Sequence, residues 1–130
     1  MIAELRAALK LDLETGSDGA ATPIGVPVHD PYPGRVVAPC AVLGMEPAGY
    51  IVGGQTFCRE FEVRMTVVLL VSRSEHYLDE LEKLIEIVLE NTADWGMTGV
   101  DAPGSLVESG MELLGTTVHL SKMAKLIEGA

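Results

Sequence analysis

The stretch from 57 to 72 alternates between apolar and polar positions, and this alternation predicts a long β-strand. One parity is apolar throughout: Phe61, Val63, Met65, Val67, Leu69 and Val71. The other parity begins polar and ends apolar: Glu60, Glu62, Arg64 and Thr66, then Val68 and Leu70. A half-buried strand keeps one polar face along its length, so the apolar end of this face needs a cover. We expect Val68 and Leu70 to be buried under the helix that follows or in a neighbouring subunit.

Two segments carry apolar residues at helical spacing and predict amphipathic helices over 2–14 and 74–92. The first apolar stripe consists of Ile2, Leu5, Leu9 and Leu13. The second consists of Tyr77, Leu78, Leu81, Leu84, Ile85 and Val88. Five of the other positions of the second helix are acidic: Asp79, Glu80, Glu82, Glu86 and Glu90. Ser72 and Glu75 stand three residues apart, which predicts a capping box where this helix begins.

A proline-rich connector separates the first helix from the strands. Five of the seven prolines fall between residues 23 and 39. Each fixes φ and removes a backbone donor, so we expect an extended connector with at most an edge strand at 24–28. The strand predicted over 35–44 contains Pro39, which indicates a bulge or an edge position.

The order of the predicted elements indicates the fold class. Gly53 and Gly54 predict the tip of a long β-hairpin that leads into the 57–72 strand, and strands over 100–110 and 116–127 close the chain. Strands that are adjacent in sequence favour antiparallel pairing. We therefore expect an α+β fold, in which an antiparallel sheet of about four to five strands carries two helices on one face. Residues 1–130 are expected to form a single domain.

Composition excludes several classes of function. The chain has 9 Lys and Arg against 19 Asp and Glu, a formal net charge of -10, which argues against a basic nucleic-acid-binding patch. The same charge is compatible with a protein that must avoid binding nucleic acid. The N-terminal segment lacks a secretory apolar core, and no apolar run has the length of a membrane span. We therefore expect synthesis in a reducing, intracellular compartment and no contact with a membrane.

The candidate nucleophiles and bases do not form a recognisable catalytic motif. His29 and Asp30 are neighbours in an extended segment, where adjacent side chains point in opposite directions. Cys40 could act as a nucleophile with His76 or His119 as its base, but a free cysteine on a strand usually behaves as a small buried hydrophobe. A disulfide between Cys40 and Cys58 needs their strands to pair and an oxidising compartment.

The candidate ligand sites are no stronger. The three histidines, at positions 29, 76 and 119, are 47 and 43 residues apart and lack metal-ligand spacing. The row of Glu82, Glu86 and Glu90 is typical of a solvated helix face. The glycine-containing loop near residue 19 lacks the Lys and Ser or Thr of a phosphate-binding loop. We expect no catalytic residue, no cofactor and no metal.

The length of the predicted strand suggests self-assembly. The fifteen residues 58–72, at ~3.3 Å each, span roughly 50 Å, whereas a compact domain of this size is roughly 36 Å across. A regular strand of this length projects from its own domain, so we expect a homo-oligomer in which the hairpin reaches the next subunit. The expected contact residues lie at the charged end of the strand: Phe57, Arg59, Glu60, Glu62 and Arg64.

The layout as a whole resembles that of a known family. A helix and a proline-spaced connector precede "PCAVLG", the long strand, the helix "YLDELEKLIEIVLE" and two closing strands. This layout resembles the tail terminator (tail completion) proteins of long-tailed bacteriophages, especially those of actinobacterial hosts. The resemblance covers essentially the whole chain, as a pattern of elements and lengths.

The resemblance implies a hexameric ring in the virion. Such a ring caps the tail tube, ends its polymerisation and joins the major tail tube protein to the head-side connector protein. Double-stranded DNA passes through it without specific binding. Two alternatives are another phage neck subunit, of the head-closure or connector type, and a non-phage α+β module that dimerises through its long strands. An enzyme that uses Cys40 or a carboxylate cluster is a further alternative.

Overall fold

The computed structural model describes residues 2–16, 22–30, 37–47, 49–53, 60–72, 74–108 and 111–125. In chain order its elements are helix α1 (Ile2–Thr15), strands β1 (Val28–His29), β2 (Cys40–Met45), β3 (Ile51–Gly53) and β4 (Glu60–Val71), helix α2 (Tyr77–Asn91), and strands β5 (Gly96–Val100), β6 (Gly104–Glu108) and β7 (Met111–Lys125). Neither helix in this described part is long and apolar enough to cross a membrane.

The sheet is organised around β4 and β7. These two strands pair antiparallel from Glu60 opposite Lys125 to Val71 opposite Leu114. The outer edge of β4 pairs with both β2 and β3, and the outer edge of β7 pairs with both β5 and β6. Strand β1 lies beyond β2. The seven strands therefore occupy five rows.

The α+β class is confirmed, with two differences in the sheet. It has seven strands rather than four to five, because two of its five rows are each divided into two strands. It is also mixed rather than wholly antiparallel, since β1 and β2 pair parallel at Val28 opposite Ala41 and His29 opposite Val42. That pairing is limited to two residues, as expected for a proline-rich connector with few backbone donors.

Both helices pack on one face of the sheet, as predicted. Helix α1 buries Leu9 and Leu13, and α2 buries Leu81, Leu84 and Val88. These side chains share one core with the apolar parity of β4 and its partners on β7: Val63, Met65, Val67, Leu69, Val71, Val118 and Leu120. Full burial of an aliphatic side chain of this size contributes about 1.5–3 kcal/mol, so this core dominates the stability of the fold.

The apolar end of the second β4 face is not covered by the helix that follows, which was one of the two expectations. Val68 and Leu70 do not lie under α2, because their parity directs them to the opposite side of the sheet, here called the reverse face. There Leu70 pairs with Cys40, and both belong to a small second cluster with Val42 and Leu113. Leu70 is 1% exposed within the single chain, so its burial requires no neighbouring subunit.

Several predicted bounds shift. Strand β2 begins at Cys40 rather than at 35, and β1 covers 28–29 rather than 24–28. The strand predicted over 100–110 is replaced by β5 and β6, and the last strand starts at Met111 instead of 116. Strand β4 begins at Glu60. The predicted strand positions 35–36, 57–59, 109–110 and 126–127 lie outside the described residues, as does Gly54.

The predicted capping box at the start of α2 is wrong. The helix begins at Tyr77, with His76 as its N-cap and without a side-chain cap hydrogen bond. Ser74 provides the local contact instead, since its Oγ accepts a hydrogen bond from the His76 backbone nitrogen at 3.3 Å. Ser72 lies too far upstream of the first helical turn to cap it.

Candidate functional site

The reverse face carries a polar cluster centred on His119. His119 lies on β7 opposite Thr66 of β4, on the side of the sheet away from the helices. Its Nδ1 contacts Oε2 of Glu46, and its Nε2 contacts Oδ1 of Asp101 at 2.9 Å. The imidazole is thus held between two carboxylates, one at each ring nitrogen. We call Glu46, His119 and Asp101 the His119 cluster.

Backbone hydrogen bonds fix both carboxylates next to the central strands. Glu46 directly follows β2, and its backbone nitrogen donates to the Arg64 carbonyl at 3.3 Å. Asp101 directly follows β5, and its backbone nitrogen donates to the Thr117 carbonyl at 3.0 Å. The Thr116 hydroxyl donates to the Asp101 carbonyl. Glu46 is therefore anchored to β4 and Asp101 to β7.

The charge of the cluster depends on the protonation of His119. Partial burial disfavours the imidazolium, but the hydrogen bonds that it donates to Glu46 and Asp101 and the charges of the two carboxylates outweigh this effect and raise the pKa of His119. The side chains of His119 and Glu46 are 20% and 19% exposed, whereas that of Asp101 is 60% exposed. Asp101 is thus the partner that solvent screens most.

This geometry favours an ion cluster over a metal centre. Both ring nitrogens of His119 already face a carboxylate, so one metal ion could not be ligated by the imidazole and by both acids. Within the described part of the chain, no group of three or more His, Cys, Asp or Glu side chains is arranged to hold a metal ion.

Three of the five predicted contact residues lie together on the reverse face. Glu60, Glu62 and Arg64 follow one another on the polar parity of β4, at the end remote from the second apolar cluster. The Arg64 guanidinium binds Oε2 of Glu62 through Nε at 3.0 Å and Nη2 at 2.8 Å. Phe57 and Arg59 lie outside the described residues.

We call Glu60, Glu62 and Arg64, together with Met123 of β7, the arm surface. Met123 pairs with Glu62 in the register and is 57% exposed. The arm surface therefore combines charged side chains with one large exposed apolar side chain. Both helices lie on the other face of the sheet.

Cys40 does not have the environment of a nucleophile. It is fully buried in the second apolar cluster, and burial raises the pKa of its thiol. Cys40 lies opposite Leu70, and His119 lies opposite Thr66, so the two are separated by roughly 13 Å along the strands alone. The alternative base, His76, is exposed at the start of α2.

The other candidate residues have simpler environments. Asp30 pairs with Arg6 Nε at 3.7 Å. Glu82, Glu86 and Glu90 are exposed on α2, which confirms the prediction of a solvated acidic helix face. Cys58 lies outside the described residues, and with it the question of a disulfide to Cys40.

A groove opens at the other end of β4 from the arm surface. Its volume is 440 Å³. Its apolar lining comes from the connector, from the end of β4 and from α2: Ile24, Val26, Pro39, Val71, Leu84 and Ile87. Glu80 and Lys83 of α2 also line it. The two ends of β4 thus present surfaces of different chemistry.

Little in the sequence indicates the His119 cluster. Glu46 and Asp101 are 73 and 18 residues from His119, and neither belongs to a local motif. The one available signal was that His119 occupies the polar parity of the last predicted strand.

No model of a known protein family matches this chain, and a search of the curated proteins finds no match either.

Proposed function

We propose that this protein is a structural subunit of a phage virion that assembles into a ring, most closely of the tail terminator type. The arm surface carries the proposal. It presents Glu62, Arg64 and the exposed Met123 at one end of the central strand pair, on the face opposite both helices. Methionine and arginine are enriched in contacts between protein subunits, and charged side chains such as Glu62 suit the polar rim of such a contact.

The asymmetry of β4 favours a ring over a two-fold dimer. The arm surface lies at one end of the strand, and the apolar groove lies at the other. A contact between two different surfaces is heterologous, and repetition of a heterologous contact closes into a ring when the rotation permits. A hexamer is the closure that the resemblance to tail terminator proteins implies.

The net charge suits a ring around DNA. A formal charge of -10 on each subunit gives a ring a strongly negative field. Such a field repels phosphate and lets double-stranded DNA pass without being bound. In this proposal the ring ends growth of the tail tube, contacts the major tail tube protein on one side and meets the head-side connector protein on the other.

A non-phage α+β module that dimerises is the second candidate, through a sheet edge rather than through its long strands, because β4 and β7 are each paired on both sides. Strand β5 lies at the end of the sheet order, and its Met97 is 51% exposed. An open edge strand is a template for pairing with another chain. Such a dimer uses one surface twice and leaves the arm surface uncovered.

Negative-stain electron microscopy of the purified full chain separates these functions. The proposal predicts six-fold annular particles with an open centre. Compact two-fold particles contradict it and support the edge-paired dimer. The head-closure and connector alternatives are distinguished by the partner, because a terminator ring binds the end of assembled tail tubes.

A further inference from the structure

The His119 cluster joins parts of the sheet that lie on opposite sides of the central strand pair. Glu46 begins the connection from β2 to β3, and Asp101 begins the connection from β5 to β6. His119 lies between them on β7 and contacts both. One imidazole therefore links two connections that the chain itself separates by 55 residues.

The protonation state of the imidazole decides whether both carboxylates have a hydrogen-bond donor. An ionised carboxylate only accepts hydrogen bonds, so each acid needs an N–H from the ring. The imidazolium has two N–H groups, whereas neutral imidazole has one N–H and one bare lone pair. When His119 loses its proton, one carboxylate therefore loses its donor and faces a lone pair.

Among the described residues, no other charge beside His119 replaces the lost one. The residue opposite on β4 is the buried, uncharged Thr66, and the residue opposite on β5 is Gly99. On β7, the neighbours on the same face are Thr117 and Ser121. The nearest described cation on this face of β4 is Arg64, whose guanidinium is bound by Glu62.

We propose that His119 is a proton-dependent clasp, which holds the β2–β3 and β5–β6 connections against the central strands when charged and releases one of them when neutral. The other described ties of these connections include the backbone bonds of Glu46 and Asp101, the hydrogen bond that the Arg64 backbone nitrogen donates to the Tyr50 carbonyl at 2.7 Å, and the hydroxyl bond of Thr116. Release therefore loosens a connection without dissolving the sheet.

The direction of the pH dependence follows from the same contacts. Burial opposes the charge on His119, but Glu46 and Asp101 raise its pKa in the folded protein above that of the unfolded chain. A raised folded-state pKa stabilises the fold fully at pH values below the unfolded pKa. The stabilisation is lost as the pH rises through the folded pKa. The clasp is thus closed in mild acid and opens towards alkaline pH.

NMR titration of the histidine side chains tests the clasp directly. The full chain, labelled at histidine, is titrated from about pH 5.5 to about pH 9, a range in which carboxylates stay ionised and imidazoles titrate. The His119 signals, assigned by their loss in His119→Gln, are expected to titrate at higher pH in the folded protein than in urea. Equal or lower values in the folded protein overturn the proposal.

Amide hydrogen exchange tests the release itself. On going from mild acid to alkaline pH, the amide of either Glu46 or Asp101, whichever connection is released, is expected to lose protection relative to the β4 amides. His119→Gln should show that loss at both pH values, whereas His76→Gln, the same change at an exposed histidine, should behave as wild type. Retained protection at alkaline pH in the wild type contradicts the clasp.

A milder variant covers the case in which His119→Gln fails to fold. Asp101→Asn changes a carboxylate that is 60% exposed and leaves the core intact. It removes one of the two charges that favour the imidazolium, so the His119 titration is expected to shift to lower pH. An unchanged titration shows that Asp101 does not stabilise the charged ring and contradicts the clasp. The test follows contacts within one subunit and does not depend on ring formation.

Discussion

Thr66 shows how closely the reverse face is packed. It is 5% exposed and lies between Gly44 on β2 and His119 on β7. A Cβ added at Gly44 would come within 2.9 Å of the Thr66 hydroxyl oxygen. Because Thr66 is β-branched and buried, its side chain has little freedom to move away. Glycine at position 44 is therefore required by close packing rather than by backbone conformation.

Gly44→Ala is expected to destabilise the protein by about 1–3 kcal/mol through this clash, measured by urea unfolding. Thr66→Ala removes the opposing atom and should relieve most of that cost in the double variant. Thr66→Val keeps the size of the side chain and should not relieve it. Equal double-variant effects with Ala and Val at position 66 would show that the clash is not the cause.

At the residue scale, the sequence predicted the core better than the polar cluster. The parity of β4 identified Val63, Val67 and Leu69 as core because a strand places alternate residues on the same face. The His119 cluster depends on two turns that the sheet register brings together, and sequence spacing carries no information about that register. Parity also explains why Leu69 and Leu70 are buried on opposite faces of the sheet, since both helices pack on one face only.

The negative charge at the C-terminal end of helix α2 destabilises the helix. Its last turn contains Glu90 and no basic residue, although the C-terminal end of a helix carries partial negative charge. Glu90 also lies four residues after Glu86, a spacing at which like charges repel. Both effects act on an exposed side chain, so they are sensitive to salt.

Glu90→Lys is expected to raise the free energy of unfolding by about 1 kcal/mol at low salt, since it reverses both effects. Glu90→Gln should give about half of this gain. Asp79→Lys makes the same change of net charge in the first turn and should destabilise instead. Urea unfolding at low and at molar salt measures all three; equal effects of the two lysine variants would show that only net charge matters.

At the element scale, the sequence pattern predicts the strongly periodic segments but not the rows of the sheet that are divided into two strands. The helices were found to within a few residues because their apolar stripes are unambiguous. Strand β5 begins at Gly96 in a segment with turn-like composition, and it forms because β7 offers an edge for pairing. Tertiary pairing of this kind overrides local propensity.

At the scale of the whole molecule, the charged end of β4 is proposed to form a contact between subunits. Glu62 and Arg64 pair within the chain, and an exposed or half-exposed pair of this kind contributes about 0–1 kcal/mol to folding. Loss of the pair should therefore leave the monomer folded. Its charges matter more if they also face a second copy.

Reversal of either charge, by Glu62→Arg or Arg64→Glu, is expected to raise the concentration needed for ring assembly at least tenfold, equivalent to about 1.4 kcal/mol. The monomer of each variant should still unfold cooperatively. The double reversal restores the pair within the chain but exchanges the charges that a neighbour meets. It should recover monomer stability without recovering assembly. Recovery of both would show that the pair acts within the subunit alone.

The α+β class was predictable because the order of helices and strands is visible in the pattern. The parallel β1–β2 pair was not, because it depends on the path of a proline-rich connector. The assembly of subunits is harder to predict from the sequence, because self-association depends on surfaces whose partners belong to another copy.

The ring itself is tested most directly by sedimentation velocity of the full chain from micromolar to millimolar concentration. A hexameric ring requires a species with six times the mass of the 13.8 kDa chain, and its fraction should grow with concentration. A single species at the mass of the monomer, or of a dimer, over the whole range would contradict it.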